Sequence, residues 1–270
     1  MERRITGYDE VIMKEYSLEE ALVIGSGNRL TTDTNDTSKP LVVRGVIKKD
    51  HVNRCIETGR DFYYIDTGYL GNFPSKGNPS GKKIWHRVVK NENQHSVIRN
   101  VPSDRWEKLI KQDPRLQWKG WKNYNKKILL VMPNPKACKY YNVNYDEWVK
   151  ETENKLKEFS NLPVEVRIKG SRSDRNNTYS IYDALDSGTA ITVAFNSIAA
   201  LESVAYGVPA IVSVPCCATP IAESDISNIS NPFKPDSNLI EKQCMNLAYG
   251  QFTMEEILNG MAYELTEKYS

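Results

Sequence analysis

Asn196 and Ser197 interrupt an apolar stretch running from Ala190 to Pro215, and the chemistry they offer is that of an anion site. Ile191 to Phe195 is a short β-branched run, the pattern of a strand buried on both faces. The Asn-Ser pair suits a helix N-cap, and Ile198, Leu201, Ala205 and Tyr206 continue at helical spacing until Gly207 closes the helix. Pro209 follows, and Ala210 to Val214 reads as a second buried strand. Free N–H groups opening a helix at the carboxyl end of a parallel strand attract phosphate. Glu202, a carboxylate in the second turn of an apolar helix, is placed to turn toward the same crevice. The plainer reading makes Asn-Ser a simple cap and Glu202 a solvated helix residue.

Three other sets of residues carry chemical interest. Arg167, Lys169, Arg172 and Arg175 gather at the carboxyl end of a strand expected over Pro163 to Lys169. Asp66 stands where the apolar run Phe62 to Ile65 stops, the position at which α/β proteins display reactive side chains. It is a candidate proton acceptor, with His86 and His95 as rivals, and a chain-turning aspartate is the bland alternative. Lys82, Lys83, Arg87, Lys90 and Arg99 lie in a basic segment interleaved with Asn91, Asn93 and Gln94. Such a mixture suits double-stranded DNA, the cations meeting phosphates and the amides reaching base edges. A solvated basic face without a partner fits the same residues. Tyr64 and Tyr69 read as packing.

The elements that must position these residues follow from periodicity. Ser17 to Ala21 reads as helix and Ala21 to Gly25 as a strand ending in Gly25-Ser26-Gly27-Asn28. That turn lacks the third glycine of a dinucleotide fingerprint and reads as a strand-to-loop turn. Pro40 to Ile47 and Phe62 to Tyr69 are strand candidates, with a helix from His51 to Gly59 between them. Arg105 opens a helix that breaks near Pro114 and passes into a tryptophan-rich connector. The domain boundary is expected there, giving an acceptor domain over 1–120 and a nucleotide-binding domain over 121–270. The final helices are expected to pack back on the first domain. Lys127 to Met132 is a buried strand ending in Pro133-Asn134-Pro135-Lys136, a loop of the kind that lies across a nucleotide. Tyr145 to Phe159 is an amphipathic helix, Thr178 to Asp186 a short one, and the last 30 residues read as helical. The fold class expected is α/β, with two facing Rossmann-like domains of parallel sheets flanked by helices.

The string Asn196-Ser197, Glu202, Gly207 and Pro209, as N-S-x4-E-x4-G-x-P, resembles the donor-domain signature of GT-B-like glycosyltransferases. Capsule-type sugar transferases carry similar strings, as do glycosyltransferase-like proteins of tailed bacteriophages, whose C-terminal tails resemble Leu247 to Glu264. The resemblance implies that the Ser197 turn contacts the diphosphate of a UDP-sugar and that Glu202 approaches its ribose or sugar. It also implies that the basic stretch of Arg167, Lys169 and Arg172 holds the donor phosphates. Fixed cations there stabilise a leaving group whose charge grows in the transition state. Sugar transfer with inversion needs a base for the acceptor hydroxyl, the role open to Asp66 or His86.

With 270 residues the chain has enough material for one large or two small cores. Its net charge of +2 is small, so the local basic segment is where an anionic partner is felt. No run approaches the ~20 apolar residues that span a bilayer, and no leader is visible. The five cysteines are scattered and Cys216-Cys217 is no CxxC, which favours a reduced, cytoplasmic protein without zinc or disulfides. No Asp-x-Asp donor motif occurs, so no essential metal and no cofactor beyond the nucleotide sugar is expected, and a monomer is expected. Three classes of function remain: transfer of a sugar to 5-hydroxymethylcytosine in phage DNA, transfer to a surface polysaccharide or small glycan, and an inactive binding protein with a borrowed fold.

Overall fold

The computed structural model describes residues 16–29, 36–72, 84–168 and 181–270. The chain divides into two compact units, Met1–Gln94 with Leu247–Ser270, and His95–Asn246.

The first unit is built on a four-stranded sheet in the order β1 (Leu41–Arg44), β2 (Phe62–Thr67), β3 (His86–Lys90), β8 (Gln251–Phe252). β1 and β2 are parallel and joined through helix α2 (Lys49–Thr58), while β3 runs antiparallel to both β2 and β8. Strand alternation sorts the core onto two faces. Tyr63, Ile65 and Val88 pack with Leu22 of helix α1 (Leu18–Gly25) and with Ile257. Phe62 and Tyr64 pack with Val43 against Val52 and Cys55 of α2. The sheet is therefore mixed rather than parallel throughout.

Residues 21–25, expected as a strand, are helical because Ser17 and Glu20 form a reciprocal capping box that starts α1. The Gly25-Ser26-Gly27 turn is then the end of a helix, whose carbonyls repel phosphate rather than bind it. Gly25 serves packing: a Cβ there would stand 2.0 Å from the Ile257 carbonyl oxygen. β3 and β8 lie in segments expected as a basic surface and as helix. The tail otherwise is helical, with α8 (Ser237–Tyr249), α9 (Met254–Leu258) and α10 (Met261–Tyr269). Tyr63 donates to Glu267 of α10 at 2.6 Å, and Lys90 pairs with the same carboxylate at 2.9 Å.

The second unit holds four parallel strands in the order β5 (Val164–Arg167), β4 (Lys127–Val131), β6 (Thr189–Ala194), β7 (Ala210–Val212). Trp148 and Leu156 of α5 (Tyr145–Phe159) cover Ile128, Leu130, Ile191 and Val193 on one face. On the other, helix α7 (Ile198–Tyr206) hydrogen-bonds β6 through the buried Thr192 and Ser203 hydroxyls, 2.8 Å apart. The outer edge of β7 is covered by residue 223, whose backbone exchanges hydrogen bonds with Ala210 and Val212. The units divide between Gln94 and His95, upstream of the tryptophan-rich connector. That connector binds the second unit: Lys122 N–H donates to the Gly207 carbonyl at 2.7 Å and Lys126 N–H to Gly188 at 3.0 Å. Helix α3 (Asp104–Gln112) belongs there too.

Candidate functional site

From β4 the chain turns outward to β5, then crosses back to β6 on β4's other side. The loops leaving β4 and β6 therefore diverge, and their carboxyl ends form the switch point at which open α/β sheets bind ligands. Val131 and Ala194 are register partners, so the two loops leave at the same level. On the β6 side stand Asn196 and Ser197, both half-buried, with the Ser197 hydroxyl capping α7 by accepting from Ala199 N–H at 3.2 Å. On the β4 side stands Asn134, whose side chain caps α4 (Pro135–Tyr140) by accepting from Lys136 N–H at 2.9 Å.

These two helix starts lack the acids that open several other helices of the chain. α1, α5 and α9 each open on two acids, which compensate the positive end of the helix. Neither α4 nor α7 has an acid in its first turn, and α4 begins with the exposed Lys136. Arg167 closes β5 in register with Val131, and so shares a sheet face with it about one strand spacing, ~5 Å, away. Lys136 and Arg167 thus stand at the carboxyl edge of the same sheet. Lys136 was legible only as part of a loop; a lysine at the second position of a proline-started helix is the signal that marks it.

Glu202 lies elsewhere on its helix. Five residues of helix place it ~7.5 Å along the axis from Ser197 and well round its circumference. It is 5% exposed and close enough to Arg115 and Tyr182 to perturb both. Arg115 pairs with Asp113 through two 2.7 Å hydrogen bonds and stacks on the Tyr182 ring at 4.6 Å. Asp113 chiefly, with Glu202 adding, raises the Arg115 pKa; burial first, then Glu202, pushes the Tyr182 phenol well above its ordinary value. Glu202 is thus a buried residue beside the Arg115–Tyr182 cluster. Lys169, Arg172 and Arg175 lie outside the described residues, as do Lys82 and Lys83.

The first unit carries Asp66 at the carboxyl end of β2. Its Oδ1 accepts Thr67 N–H at 2.7 Å, and its Oδ2 accepts the Tyr64 hydroxyl at 3.3 Å and Arg87 Nη2 at 3.2 Å. Arg87 is buried, not spread on a surface. Its Nε donates to the Asn93 carbonyl at 3.2 Å and its Nη1 to the Thr67 carbonyl at 2.9 Å. The Tyr64 and Tyr69 rings lie 5.5 and 5.4 Å from its guanidinium carbon. His86 opens β3, buried, in register with Thr67 and Phe252. His95 is also buried and belongs to the second unit.

Of the residues expected to form a DNA-binding face, Arg87, Lys90 and Arg99 fall among those described. Arg87 is engaged with Asp66, and Lys90 is held by Glu267 and Asp61 at 2.9 and 3.6 Å. Arg99 belongs to the second unit. Alternation along β3 explains the difference: a strand in the centre of a sheet turns half its charged side chains into cover, where only paired ones are tolerated. Among the described residues no group of His, Cys, Asp and Glu could hold a metal ion, and no helix is long and apolar enough to cross a membrane.

No family model matches the chain, and no curated protein does. Two solved structures from Thermosulfurimonas dismutans are similar in fold. One is KpsC, beta Kdo 2,4 transferase, with a TM-score of 0.52 at 11% identity, covering 88% of this chain and 88% of that one. The other is KpsC, beta Kdo 2,7 transferase, with a TM-score of 0.51 at 12% identity, covering 94% of this chain and 97% of that one. At such identities the likeness is one of fold, and the fold it shows is a GT-B-like α/β architecture across nearly the whole chain.

Proposed function

We propose that this protein is a glycosyltransferase that moves a sugar from a nucleotide-sugar donor to a glycan hydroxyl. The observation that carries the reading is the pair Asn196-Ser197 capping α7 at the switch point of a four-stranded parallel sheet. The donor phosphates bind there, over the uncompensated start of α7, with Lys136 and Arg167 as cations. Glu202 supports α7 from within and does not touch the sugar.

A glycan acceptor, of the capsule type, is favoured over DNA for two reasons. The two KpsC structures described above are named as Kdo transferases. The duplex reading rested on a basic face, and Arg87 and Lys90 are committed to carboxylates. The test is incubation with UDP-sugars and nucleotide-activated Kdo, offered with Kdo-terminated glycans, hydroxymethylated DNA and plain DNA, with products read by mass spectrometry. Transfer to the glycan is expected. Transfer only to hydroxymethylated DNA would replace the acceptor, and absence of any nucleotide-sugar binding by calorimetry would overturn the whole reading.

A further inference from the structure

Of the five tryptophans in the chain, Trp85, Trp106 and Trp148 are buried. Trp118 and Trp121 are not. Both are half-buried, three residues apart on the connector, and their rings meet edge to face at 4.9 Å and 81°. Two rings at that angle make a corner, with the flat of one beside the edge of the other. The connector is fastened beyond it by backbone hydrogen bonds, Lys122 N–H to the Gly207 carbonyl and Lys126 N–H to Gly188. The Lys122 ammonium also lies 4.2 Å over the Tyr206 ring and 3.6 Å from Asp186. Asp186 in turn accepts the Tyr206 and Tyr124 hydroxyls at 2.6 and 3.1 Å.

The polar groups beside this corner are of one kind. Between Asp113 and Asp146 the sequence has no acid, and the connector carries Lys119, Lys122, Lys126 and Lys127. Asp186 pairs with Lys122 and Glu165 with Lys127, while Lys119 and Lys126 are exposed, as are the amides of Asn123 and Asn125. Exposed cations on a segment without acids favour an anionic occupant. A tryptophan face suits the C–H face of a sugar ring, amides suit its hydroxyls and lysine suits a sugar carboxylate. Single-stranded nucleic acid stacks successive bases on successive rings, and two rings crossed at 81° offer no such series.

We propose that the Trp118–Trp121 corner is a binding site for an acidic glycan, separate from the donor site. Gly188 directly precedes β6 and Gly207 closes α7, so the connector crosses the amino ends of β6 and β7. Ser197 opens α7 at the other end, ~14 Å of helix away. The site goes beyond the reaction proposed above: it holds a glycan without taking part in the chemistry, and it stands on residues of the second unit alone.

The test is binding of defined oligosaccharides to the full chain, read by tryptophan fluorescence and calorimetry. The probes are a galacturonic acid hexamer and a sialic acid hexamer, with neutral maltohexaose and a thymidine dodecamer for comparison. Binding of at least one acidic hexamer is expected, with maltohexaose about 10-fold weaker or more. Trp118→Ala is expected to weaken binding about 10-fold or more, and Trp118→Phe to keep part of it. The Lys119→Gln/Lys126→Gln pair is expected to weaken it about 5-fold and to flatten its salt dependence. Both lysines are exposed, so that variant keeps its fold. Nucleotide-sugar binding is expected to be unchanged in every variant. The proposal is overturned if neither acidic hexamer binds, if maltohexaose binds equally well, if the dodecamer alone binds, or if either the Trp118→Ala or the lysine change leaves binding intact. A chain that holds an acidic hexamer through these residues yet binds no nucleotide sugar keeps this site and loses the transferase reading.

Discussion

Gln251 and Leu70 meet as though they were two strands of a sheet. The Gln251 amide oxygen accepts Leu70 N–H at 2.9 Å, and its amide nitrogen donates to the Leu70 carbonyl at 3.0 Å. The same oxygen accepts Tyr69 N–H. One side chain thereby satisfies three backbone groups in a fully buried setting. Gln251→Leu would leave all three without partners, each at about 1–3 kcal/mol, so a loss of at least ~3 kcal/mol is expected in urea unfolding.

Ser197 holds the start of α7 by a single cap. Ser197→Ala is expected to cost about 1 kcal/mol of stability. On the proposed function it also weakens nucleotide-sugar binding, measured by calorimetry, while Ser197→Thr keeps both.

Arg115 pairs with Asp113, and Glu202 adds to the field that raises its pKa. Arg115→Met takes the ion-pair partner from the buried Asp113, and a loss of about 2 kcal/mol is expected, discounted from the figure for a fully buried pair because Arg115 is partly exposed. Pairing the change with Glu202→Gln is expected to recover part of it, as unfolding midpoints of the single and double variants would report.

Glu223 folds the loop after β7 around its carboxylate. The backbone N–H of Asp225 chiefly, with those of Ser224 and Phe233, holds its pKa below the ordinary 4.5. A carboxyl group whose folded value is depressed stabilises the protein above its unfolded value and loses that contribution as pH falls through the folded one. Wild-type protein is therefore expected to lose stability progressively below about pH 4.5, and Glu223→Gln to show a shallower acid branch with a lower plateau at neutral pH.

Gly25→Ala tests the close approach of α1 to the end of α9. The new methyl would collide with the Ile257 carbonyl, a backbone atom that cannot swing aside. A loss of about 2–3 kcal/mol is expected in urea unfolding, at the upper end for overpacking.

Residues whose role is set by their near neighbours were legible in the sequence. The cap at Ser197, the stop at Gly207 and the helix Tyr145–Phe159 all depend on residues within a turn or two. The strand at Lys127 was visible from its own apolar run. Arg87 was not legible as a buried residue, because what makes its burial tolerable is Asp66 and two tyrosine rings from another strand and its following loop. His-Arg-Val-Val-Lys consequently reads as a basic surface when it is a central strand. The burial of Glu202 was not legible for a similar reason: its neighbour Arg115 lies far upstream, in the 3-10 turn Pro114–Leu116. Nothing in Gln251 alone signals a side chain acting as backbone.

The first unit draws β8, α9 and α10 from the last 24 residues, Leu247–Ser270, whereas the second is one unbroken run, His95–Asn246. During synthesis the second unit can therefore close while the first still lacks Phe252 and Ile257 for its core and Gln251 for the loop after β2. The earlier-made segment waits for the later one, so a ribosome stalled before residue 247 would release a chain with one finished half and one exposed, aggregation-prone sheet.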